Sequence, residues 1–209
     1  MRGGKLEERL YLYDCDELEV ERTELPDINQ LIARHKSRYH LGAFLARPGM
    51  KVLDFPCGSG YGSELLGYVN YTGMDNDPVT IEYANLFYEC EGRGFYVGDL
   101  TKPNIDDNYD LILCIDGPEH IKREYQASLI ETFYHSLNPG GTLLTSMPET
   151  KESGSSAINQ YHLGELTFDD FSSLLHKEFD DVQIIKHEDT LHNGVKTNCM
   201  YAIARRGND

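Results

Sequence analysis

Apolar and polar positions along the chain form two patterns, one typical of buried strands and one typical of amphipathic helices. Short apolar runs that end in turns with glycine or aspartate indicate parallel strands covered on both faces. The predicted strands cover residues 50–55, 71–75, 94–97, 109–115, 141–147, 182–187 and 198–205. The predicted helices cover residues 28–46, 61–68, 79–91, 121–137 and 167–176. Asp27 and Thr167 are the predicted caps of the first and last helices.

Strands that alternate with helices predict an α/β fold, with an open, mostly parallel seven-stranded sheet and helices on both of its faces. A connection of hairpin length at Asn193-Gly194 joins the last two strands, which makes these two strands antiparallel to each other. This C-terminal hairpin distinguishes the sheet from an all-parallel dinucleotide-binding fold.

One domain is predicted to account for most of the chain. The beginning of the sequence is dense in charge and weakly patterned, so residues 1–26 are predicted to form an N-terminal arm and residues 27–209 a single domain. Residues 148–166 are polar, with serine and glycine throughout, and are predicted to form a loop or lid on the substrate side.

Composition and charge narrow the range of partners. The chain of 209 residues carries 35 acidic and 19 basic side chains and a formal net charge of −16, which disfavours nucleic acid and anionic membranes as partners. No apolar run approaches the ~18 residues of a membrane span. Five scattered cysteines without a C-x-x-C pair favour a reducing compartment, so a cytoplasmic protein is expected. The sequence does not specify an oligomeric state.

A glycine-rich segment and four aspartates follow the predicted strands. The segment VLDFPCGSGYG, residues 52–62, ends the first strand with Asp54 and continues with small residues that let a ligand approach the backbone. Asp75 ends the second strand, where a carboxylate can accept hydrogen bonds from a ribose diol. Asp99 and Asp116 follow the third and fourth strands, so the acidic side chains meet at one edge of the sheet.

These carboxylates also indicate the kind of ligand. A pyrophosphate would meet Asp54, and the glycine-rich turn contains no lysine or arginine to offset that charge. The turn is better suited to a nucleoside that carries a positive charge. S-adenosylmethionine has a ribose diol, an adenine, an ammonium group and a sulfonium group without a phosphate, and it is the predicted cofactor.

The motifs resemble those of the class I S-adenosylmethionine-dependent methyltransferases, of the small-molecule type with a Glu-His pair after the fourth strand. The resemblance covers about residues 28–205 and implies a Rossmann-like fold. VLDFPCGSGYG is similar to the family's first motif, D-x-G-x-G-x-G, with Pro56 in place of its first glycine. The second, third and fourth motifs and the fifth strand are similar to YTGMDNDP, FYVGDL, YDLILCIDGPEHI and LNPGGTLLTSMP.

The resemblance implies which residues bind the cofactor. Asp75 would bind the ribose, Asn76 would flank the adenine, and Asp99 and Leu100 would lie at the adenine edge. Arg38 would form a bidentate pair with the cofactor carboxylate, or else lie on a solvated helix face. The predicted cofactor-binding residues are Arg38, Asp54, Phe55, Pro56, Cys57, Gly58, Gly60, Tyr61, Asp75, Asn76, Asp99, Leu100 and Asp116.

The acceptor side of the site is predicted from two histidines and their neighbours. Glu119 and His120 are the predicted catalytic residues, with His120 as the base for a hydroxyl acceptor. The alternative is that His120 bonds the backbone or Glu119 at the start of a helix. No metal is predicted, and an Mg²⁺ site formed by this pair with a carboxylate is the alternative. Tyr161 and His162 are predicted to bind the acceptor, or else to fasten the polar loop to the domain.

The predicted function is methyl transfer to an oxygen or nitrogen atom of a small-molecule acceptor such as a sugar or a phenol- or quinone-like metabolite. A nucleic-acid methyltransferase is disfavoured by the charge and by Asp116-Gly117-Pro118-Glu119 where such enzymes carry N/D-P-P-Y/F. A protein methyltransferase and a catalytically inactive cofactor-binding module are further alternatives. An NAD-dependent oxidoreductase is a more distant alternative.

Overall fold

The computed structural model of the protein describes residues 28–157, 159–190 and 196–208. The predicted arm over residues 1–26, the Asp27 cap and the Asn193-Gly194 turn lie outside the described residues. Among the described residues, no helix has both the length and the apolar character needed to cross a membrane.

Strands and helices alternate along the described chain, as the apolar pattern predicts. The strands are β1 (Lys51–Asp54), β2 (Asn70–Asp75), β3 (Arg93–Val97), β4 (Tyr109–Ile115), β5 (Leu137–Pro148), β6 (Asp181–Thr190) and β7 (Lys196–Arg205). The α-helices are α1 (Ile28–Leu45), α2 (Pro78–Tyr88), α3 (Arg123–Ser136) and α4 (Phe168–Leu175). Two short 3₁₀ helices, Tyr61–Glu64 and Pro118–His120, follow β1 and β4.

The strands form one seven-stranded sheet in the order β3-β2-β1-β4-β5-β7-β6. The pairings from β3 across to β5 are all parallel. Strand β7 is antiparallel to both of its neighbours, β5 and β6. The predicted α/β fold with its antiparallel C-terminal pair is confirmed. Because the strand order reverses between β1 and β4, the carboxyl ends of these two strands border the crevice in which open α/β sheets bind ligands.

Helices cover both faces of the sheet, and each face has its own buried apolar cluster. Phe133 of α3 and Phe171 of α4 belong to the cluster on one face. Tyr39 of α1 and Tyr83 of α2 belong to the cluster on the other face. The side chains of neighbouring strand residues point to opposite faces, so the central strands are buried on both sides and read as continuous apolar runs.

The ends of several elements differ from the predictions for local reasons. The predicted helix over 61–68 is limited to the 3₁₀ helix Tyr61–Glu64, and Gly67 follows it with a left-handed φ of +74°. Helix α3 begins at Arg123, because Pro118–His120 already forms a 3₁₀ helix and Ile121 is extended. The cap of the last predicted helix is confirmed, since the Thr167 side chain accepts the Asp170 N–H at the start of α4.

Strand β5 begins four residues earlier than the predicted strand. Leu137 pairs with Tyr109 directly after α3, and the register shifts before Leu111 pairs with Thr142. The segment Asn138-Pro139-Gly140-Gly141 therefore lies within an irregular stretch of the strand and does not form a separate turn.

Candidate functional site

Two glycines with left-handed backbone form the turn after β1. Gly58 has φ +54° and Gly60 has φ +88°, a region that favours glycine. A Cβ at Gly60 would lie 2.9 Å from both Ala84 Cβ and Phe95 Cε1, whereas a Cβ at Gly58 would meet no atom within 4 Å. Gly60 is therefore needed for packing, and Gly58 faces open space where a ligand can approach the backbone.

Pro56 stands where the motif has its first glycine, and it packs against the turn that follows β4. The Phe55–Pro56 peptide bond is cis. A Cβ at Gly117 would lie 2.5 Å from Pro56 Cδ, so the absence of a side chain there makes room for the proline ring. The Cys57 N–H donates to the Met74 carbonyl at 2.8 Å, which ties the same turn to β2.

Asp75 ends β2 with a buried carboxylate that contacts the glycine turn. Its Oδ2 accepts the Gly58 N–H and its Oδ1 accepts the Asp77 N–H, both at 3.1 Å. These two hydrogen bonds orient the carboxylate group at the end of β2. Asp75 is thus held at the crevice in the position where a ribose diol can donate to it.

A cavity of about 800 Å³ lies against the carboxyl ends of β2 and β3. The connection that forms its outer side, residues 98–108, contains no helix. Asn76, which was predicted to flank the adenine, and Asp99, which was predicted to lie at its edge, both line this cavity. Asp99 Oδ1 accepts the backbone N–H and the hydroxyl of Thr101, each at 2.8 Å. These bonds hold the start of the connection in a tight turn beside the cavity.

Asp54 ends β1 as a fully buried carboxyl group. The Tyr71 hydroxyl donates to Asp54 Oδ2 at 2.7 Å. Burial raises the pKa of Asp54 from 3.8 to about 7, against hydrogen bonds from Tyr71 and Tyr39 that lower it, and the charge of Asp75 raises it further. Burial and the charge of Asp54 in turn raise the pKa of both tyrosines well above 10, which keeps them protonated donors. Asp54 therefore changes its charge near neutral pH.

Arg38 of α1 forms an ion pair with Asp116 at the end of β4. Asp116 has a left-handed φ of +48°, and its N–H donates to the carbonyl of Ser146 on β5 at 3.1 Å. The Ser146 hydroxyl donates to Asp116 Oδ1 at 2.8 Å. Arg38 was predicted to pair with the carboxylate of the cofactor. In this structure it pairs with a carboxylate of the protein, Asp116, which lies at the same crevice.

Glu119 and His120 lie in the 3₁₀ helix that follows β4, next to Asp116. The Glu119 side chain is buried. Its backbone carbonyl accepts the N–H groups of Leu163 and Gly164 at 2.7 and 3.0 Å. His120 Nδ1 lies 3.3 Å from the Tyr161 carbonyl oxygen. The alternative that His120 bonds to the backbone therefore holds for one ring nitrogen, Nδ1.

The described parts of the polar segment, residues 148–157 and 159–166, fold back over this 3₁₀ helix and bring His162 beside His120. The two imidazole rings meet edge to face with centroids 5.0 Å apart. His162 Nδ1 lies 2.6 Å from Glu165 Oε1. The structure therefore places both residues that were predicted to bind the acceptor, Tyr161 and His162, in contact with the predicted catalytic histidine.

Other residues that were predicted to bind the cofactor have side chains that belong to the buried core. Phe55 is fully buried and packs edge to face against Phe133, and Cys57 is equally buried on the opposite face of the sheet. Tyr61 and Leu100 are also mostly buried. The N–H groups of Phe55 and Cys57 donate to the carbonyls of Leu113 at 2.9 Å and Met74 at 2.8 Å, so both residues tie the turn after β1 to the neighbouring strands.

Three residues that the sequence analysis did not single out take part in the site. Tyr71 lies opposite Val52 in the β1–β2 pairing and so reaches Asp54, and Ser146 lies opposite Ile115 in the β4–β5 pairing and so reaches Asp116. Both contacts depend on strand register, which one sequence does not reveal. Glu165 follows His162 at a spacing of three residues, a signal that the sequence did contain.

The family described as "Methyltransferase domain" matches residues 28–187, which is more than half of the chain. The chain belongs to the S-adenosylmethionine-dependent methyltransferases. This confirms the family whose motifs the sequence resembles at the glycine-rich turn and at the acidic strand ends.

Individual methyltransferases are similar over part of their length. A probable S-adenosylmethionine-dependent methyltransferase of Mycolicibacterium smegmatis is 29% identical over 157 residues, which cover 72% of this chain and 59% of the relative. A probable phthiotriol/phenolphthiotriol dimycocerosates methyltransferase 2 of Mycobacterium ulcerans is 30% identical over 131 residues, which cover 60% of this chain and 48% of the relative. The chain spans about half the length of the curated relatives it matches.

Solved methyltransferase structures share the fold. A methyltransferase of Methanosarcina mazei has a TM-score of 0.68 at 15% identity, with 81% of this chain and 98% of that chain covered. The N-methyltransferase NodS of Bradyrhizobium japonicum, in complex with S-adenosylhomocysteine, has a TM-score of 0.63 at 16% identity, with 88% and 89% covered. At these identities the likeness shows the fold alone.

The cofactor of the family is S-adenosylmethionine, and the site fits this molecule. The space over Gly58 admits a ligand to the backbone, and Asp75 presents a carboxylate for the ribose. Asn76 and Asp99 line the cavity that lies against the ends of β2 and β3, which gives space for a base. The turn between Asp54 and Gly60 carries no lysine or arginine, which suits a phosphate-free nucleoside.

Proposed function

We propose that this methyltransferase transfers a methyl group from S-adenosylmethionine to an oxygen or nitrogen atom of a small-molecule acceptor. The observation that carries the proposal is the contact between Asp75 and the Gly58 N–H, which places a carboxylate and an open backbone turn together at the strand-order reversal. The Glu119–His120 pair lies beside the next strand end, so the cofactor and acceptor sites adjoin.

Residues of the chain hold the cofactor in this proposal. Asp75 accepts the ribose hydroxyls, Gly58 lets the ligand approach the backbone, and Gly60 lets the same turn pack against Ala84 and Phe95. Asn76 and Asp99 lie beside the adenine. Arg38 and Asp116 close the crevice from the side of α1. S-adenosylmethionine supplies the methyl group on a sulfonium, so the protein's main contribution is orientation and the exclusion of water.

The acceptor lies against the 3₁₀ helix Pro118–His120. Its oxygen or nitrogen forms a bond to the methyl carbon while the carbon–sulfur bond breaks and its electron pair stays on sulfur. A hydroxyl acceptor must also lose a proton, and His120 accepts it at Nε2, because Nδ1 faces the Tyr161 carbonyl and so carries the hydrogen in the neutral ring. The buried Glu119 carboxylate stabilises the imidazolium that results.

The segment that carries Tyr161 and His162 is the acceptor-side wall of the proposed site. It is fastened to the 3₁₀ helix through the Glu119 carbonyl, which keeps the wall in place. A net charge of −16 supports a small acceptor over a nucleic acid. Scattered cysteines without a C-x-x-C pair support a reducing compartment such as the cytoplasm.

Calorimetric titration with S-adenosylmethionine, S-adenosylhomocysteine and NAD tests the cofactor. We expect micromolar binding of the two sulfur nucleosides, no binding of NAD, and loss of nucleoside binding in Asp75→Ala. The exposed Asp169→Ala on α4 is the matched control and should bind as the wild type does. Absence of nucleoside binding to the wild type would overturn the proposal.

A second experiment addresses the acceptor. Protein that binds the cofactor is incubated with methyl-labelled S-adenosylmethionine and pools of phenols, sugars and amines, and the labelled products are separated. We expect label in a small molecule and reduced labelling in His120→Ala when the acceptor atom is a hydroxyl oxygen. Label found only in protein or nucleic acid would instead identify a macromolecular acceptor, and label in no pool would favour the inactive binding module.

A further inference from the structure

Three side chains beside the proposed acceptor lie close enough to share one metal ion. Each of Glu119, His120 and His162 offers one ligand atom, and these atoms all lie within 4.8 Å of one another. Glu119 comes from the 3₁₀ helix with His120, whereas His162 comes from the polar segment more than forty residues later. Two imidazoles and one carboxylate are a ligand set that suits divalent transition metals.

Both histidines have the second contact that a metal-binding histidine requires. Metal-ligating histidines nearly always donate the other ring N–H to a carboxylate or a backbone carbonyl, which sets the tautomer and the ring orientation. His120 Nδ1 faces the Tyr161 carbonyl at 3.3 Å, and His162 Nδ1 faces Glu165 Oε1 at 2.6 Å. In the neutral tautomers that these contacts favour, Nε2 of each ring carries the lone pair.

The two parts of this group are held together by the protein itself. Besides the bonds from the polar segment to the Glu119 carbonyl, the Gln126 side chain of α3 donates to the carbonyls of Pro118 at 2.8 Å and Gly164 at 2.6 Å. A Cβ at Gly164 would lie 2.4 Å from the Ile121 carbonyl oxygen, so glycine permits this close approach. The ligand atoms are therefore positioned by folding and do not need an ion to gather them.

We propose that Glu119, His120 and His162 bind one divalent transition-metal ion, and that the ion's remaining coordination positions receive an oxygen of the methyl acceptor. Two imidazole ligands favour Zn²⁺, Mn²⁺, Fe²⁺ or Co²⁺ over Mg²⁺, which prefers an all-oxygen set. The binding of the ion does not depend on the proposed function. The binding of an acceptor oxygen to the ion rests on the proposed function, because it assumes methyl transfer at this site.

A divalent ion in this site favours an acceptor that has a hydroxyl group. A hydroxyl next to a divalent cation ionises more readily, so its proton passes to water and its oxygen is ready to accept the methyl group. In the metal-loaded protein His120 is therefore a ligand, and in the metal-free protein it is the base. An amine acceptor gains no comparable advantage, so the inference favours oxygen over nitrogen as the acceptor atom.

Metal binding is measured first on full-length protein treated with a chelator. Co²⁺ is titrated while its visible absorption is recorded, and Zn²⁺ binding is followed by calorimetry. We expect one ion per chain, with affinity lowered by about 10–100-fold or more in Glu119→Gln and in His162→Ala. His176→Ala, which removes an exposed histidine elsewhere in the fold, should bind the ion as the wild type does.

A variant outside the ligand set separates metal binding from simple loss of structure. Glu165→Gln keeps the size of the side chain that contacts His162 Nδ1 but removes its charge, and we expect affinity for Zn²⁺ to fall by about 10–100-fold while thermal unfolding without metal changes little. A wild type that binds no ion, or an affinity that Glu119→Gln and His162→Ala leave unchanged, would overturn the site. Metal binding that persists when S-adenosylmethionine fails to bind would overturn the methyl transfer and leave the metal site standing.

Discussion

Gly117 lies against Pro56, so that a Cβ at Gly117 would stand 2.5 Å from Pro56 Cδ and 2.8 Å from Cys114 Sγ. The contact joins the turn after β1, which is the proposed cofactor side of the crevice, to the turn after β4, which leads to Glu119. Pro56, which replaces the first glycine of the first motif, is therefore accommodated by the missing side chain of Gly117 in the turn after β4.

This contact predicts that Gly117→Ala disturbs both turns. We expect a loss of about 1–3 kcal/mol in the free energy of unfolding, because the added methyl group has no room. In the double variant with Pro56→Ala the two effects should not add, with a coupling of about 0.5–3 kcal/mol. Urea denaturation of the single and double variants measures this. Gly207→Ala, where a Cβ meets no atom within 4 Å, is the control, and strictly additive effects would contradict the proposed relation.

The two left-handed glycines of the first turn should respond differently to alanine. Gly58→Ala places its Cβ in open space and costs about 1–2 kcal/mol of backbone strain, but the methyl group occupies the space assigned to the cofactor. We expect S-adenosylmethionine affinity to fall at least tenfold. Gly60→Ala meets Ala84 and Phe95 in addition to the strain, so it should lower stability much more than Gly58→Ala does.

A third glycine separates strain from ligand contact. Gly49 also has a left-handed φ, +84°, and open space around its Cβ position, but it lies at the opposite end of β1 from the crevice. Gly49→Ala should therefore lose about as much stability as Gly58→Ala and keep full cofactor affinity in calorimetry. Equal affinity for the cofactor in these two variants would show that the space over Gly58 is not used.

The sequence predicted the parts of this protein that depend on local pattern. The apolar run of β4 was predicted with the same ends that the structure has, Tyr109 and Ile115, because a strand buried on both faces leaves a continuous apolar signal. The carboxylates at the strand ends were found for a similar reason, since parallel strands bring their carboxyl ends to one edge. Asp54 and Asp75 are both at that edge.

The contacts between distant segments could not be predicted in the same way. That His162 meets His120 depends on how the polar segment folds back, and its hydrogen bonds to the Glu119 carbonyl come from backbone groups that every sequence has. The Tyr71–Asp54 contact depends on the register of β1 and β2. Neither feature has a periodicity or a spacing that marks it in the sequence.

The Arg38–Asp116 ion pair yields a test of what α1 does at the site. If the pair closes α1 over the crevice, Arg38→Gln and Asp116→Asn each remove the same charged contact, worth about 1.5–3 kcal/mol. We expect each variant to weaken S-adenosylmethionine binding about tenfold and the double variant to be no weaker than either. Calorimetry on the three variants measures this. An affinity lost in Arg38→Gln and kept in Asp116→Asn would show instead that Arg38 binds the cofactor carboxylate directly.

The buried Asp54 should make stability depend on pH in the neutral range. Since the pKa of Asp54 is raised from 3.8 to about 7, the folded protein holds this proton more tightly than the unfolded chain does between those values. The contribution of Asp54 to the free energy of unfolding is therefore fully present below pH 3.8, falls as the pH rises, and is lost above about pH 7.

Asp54→Asn removes this titration and keeps an acceptor for the Tyr71 hydroxyl. We expect the stability of the variant relative to the wild type to rise with pH, by about 1.4 kcal/mol per unit at most, and to level off above neutrality. Urea denaturation at several pH values between 5 and 8 measures the trend. Asp107→Asn is the control, because the bond from Lys51 lowers the pKa of Asp107, which places its titration below this range. A difference between Asp54→Asn and the wild type that does not change with pH would show that Asp54 is already charged throughout, and that its buried charge is offset by its tyrosine partners.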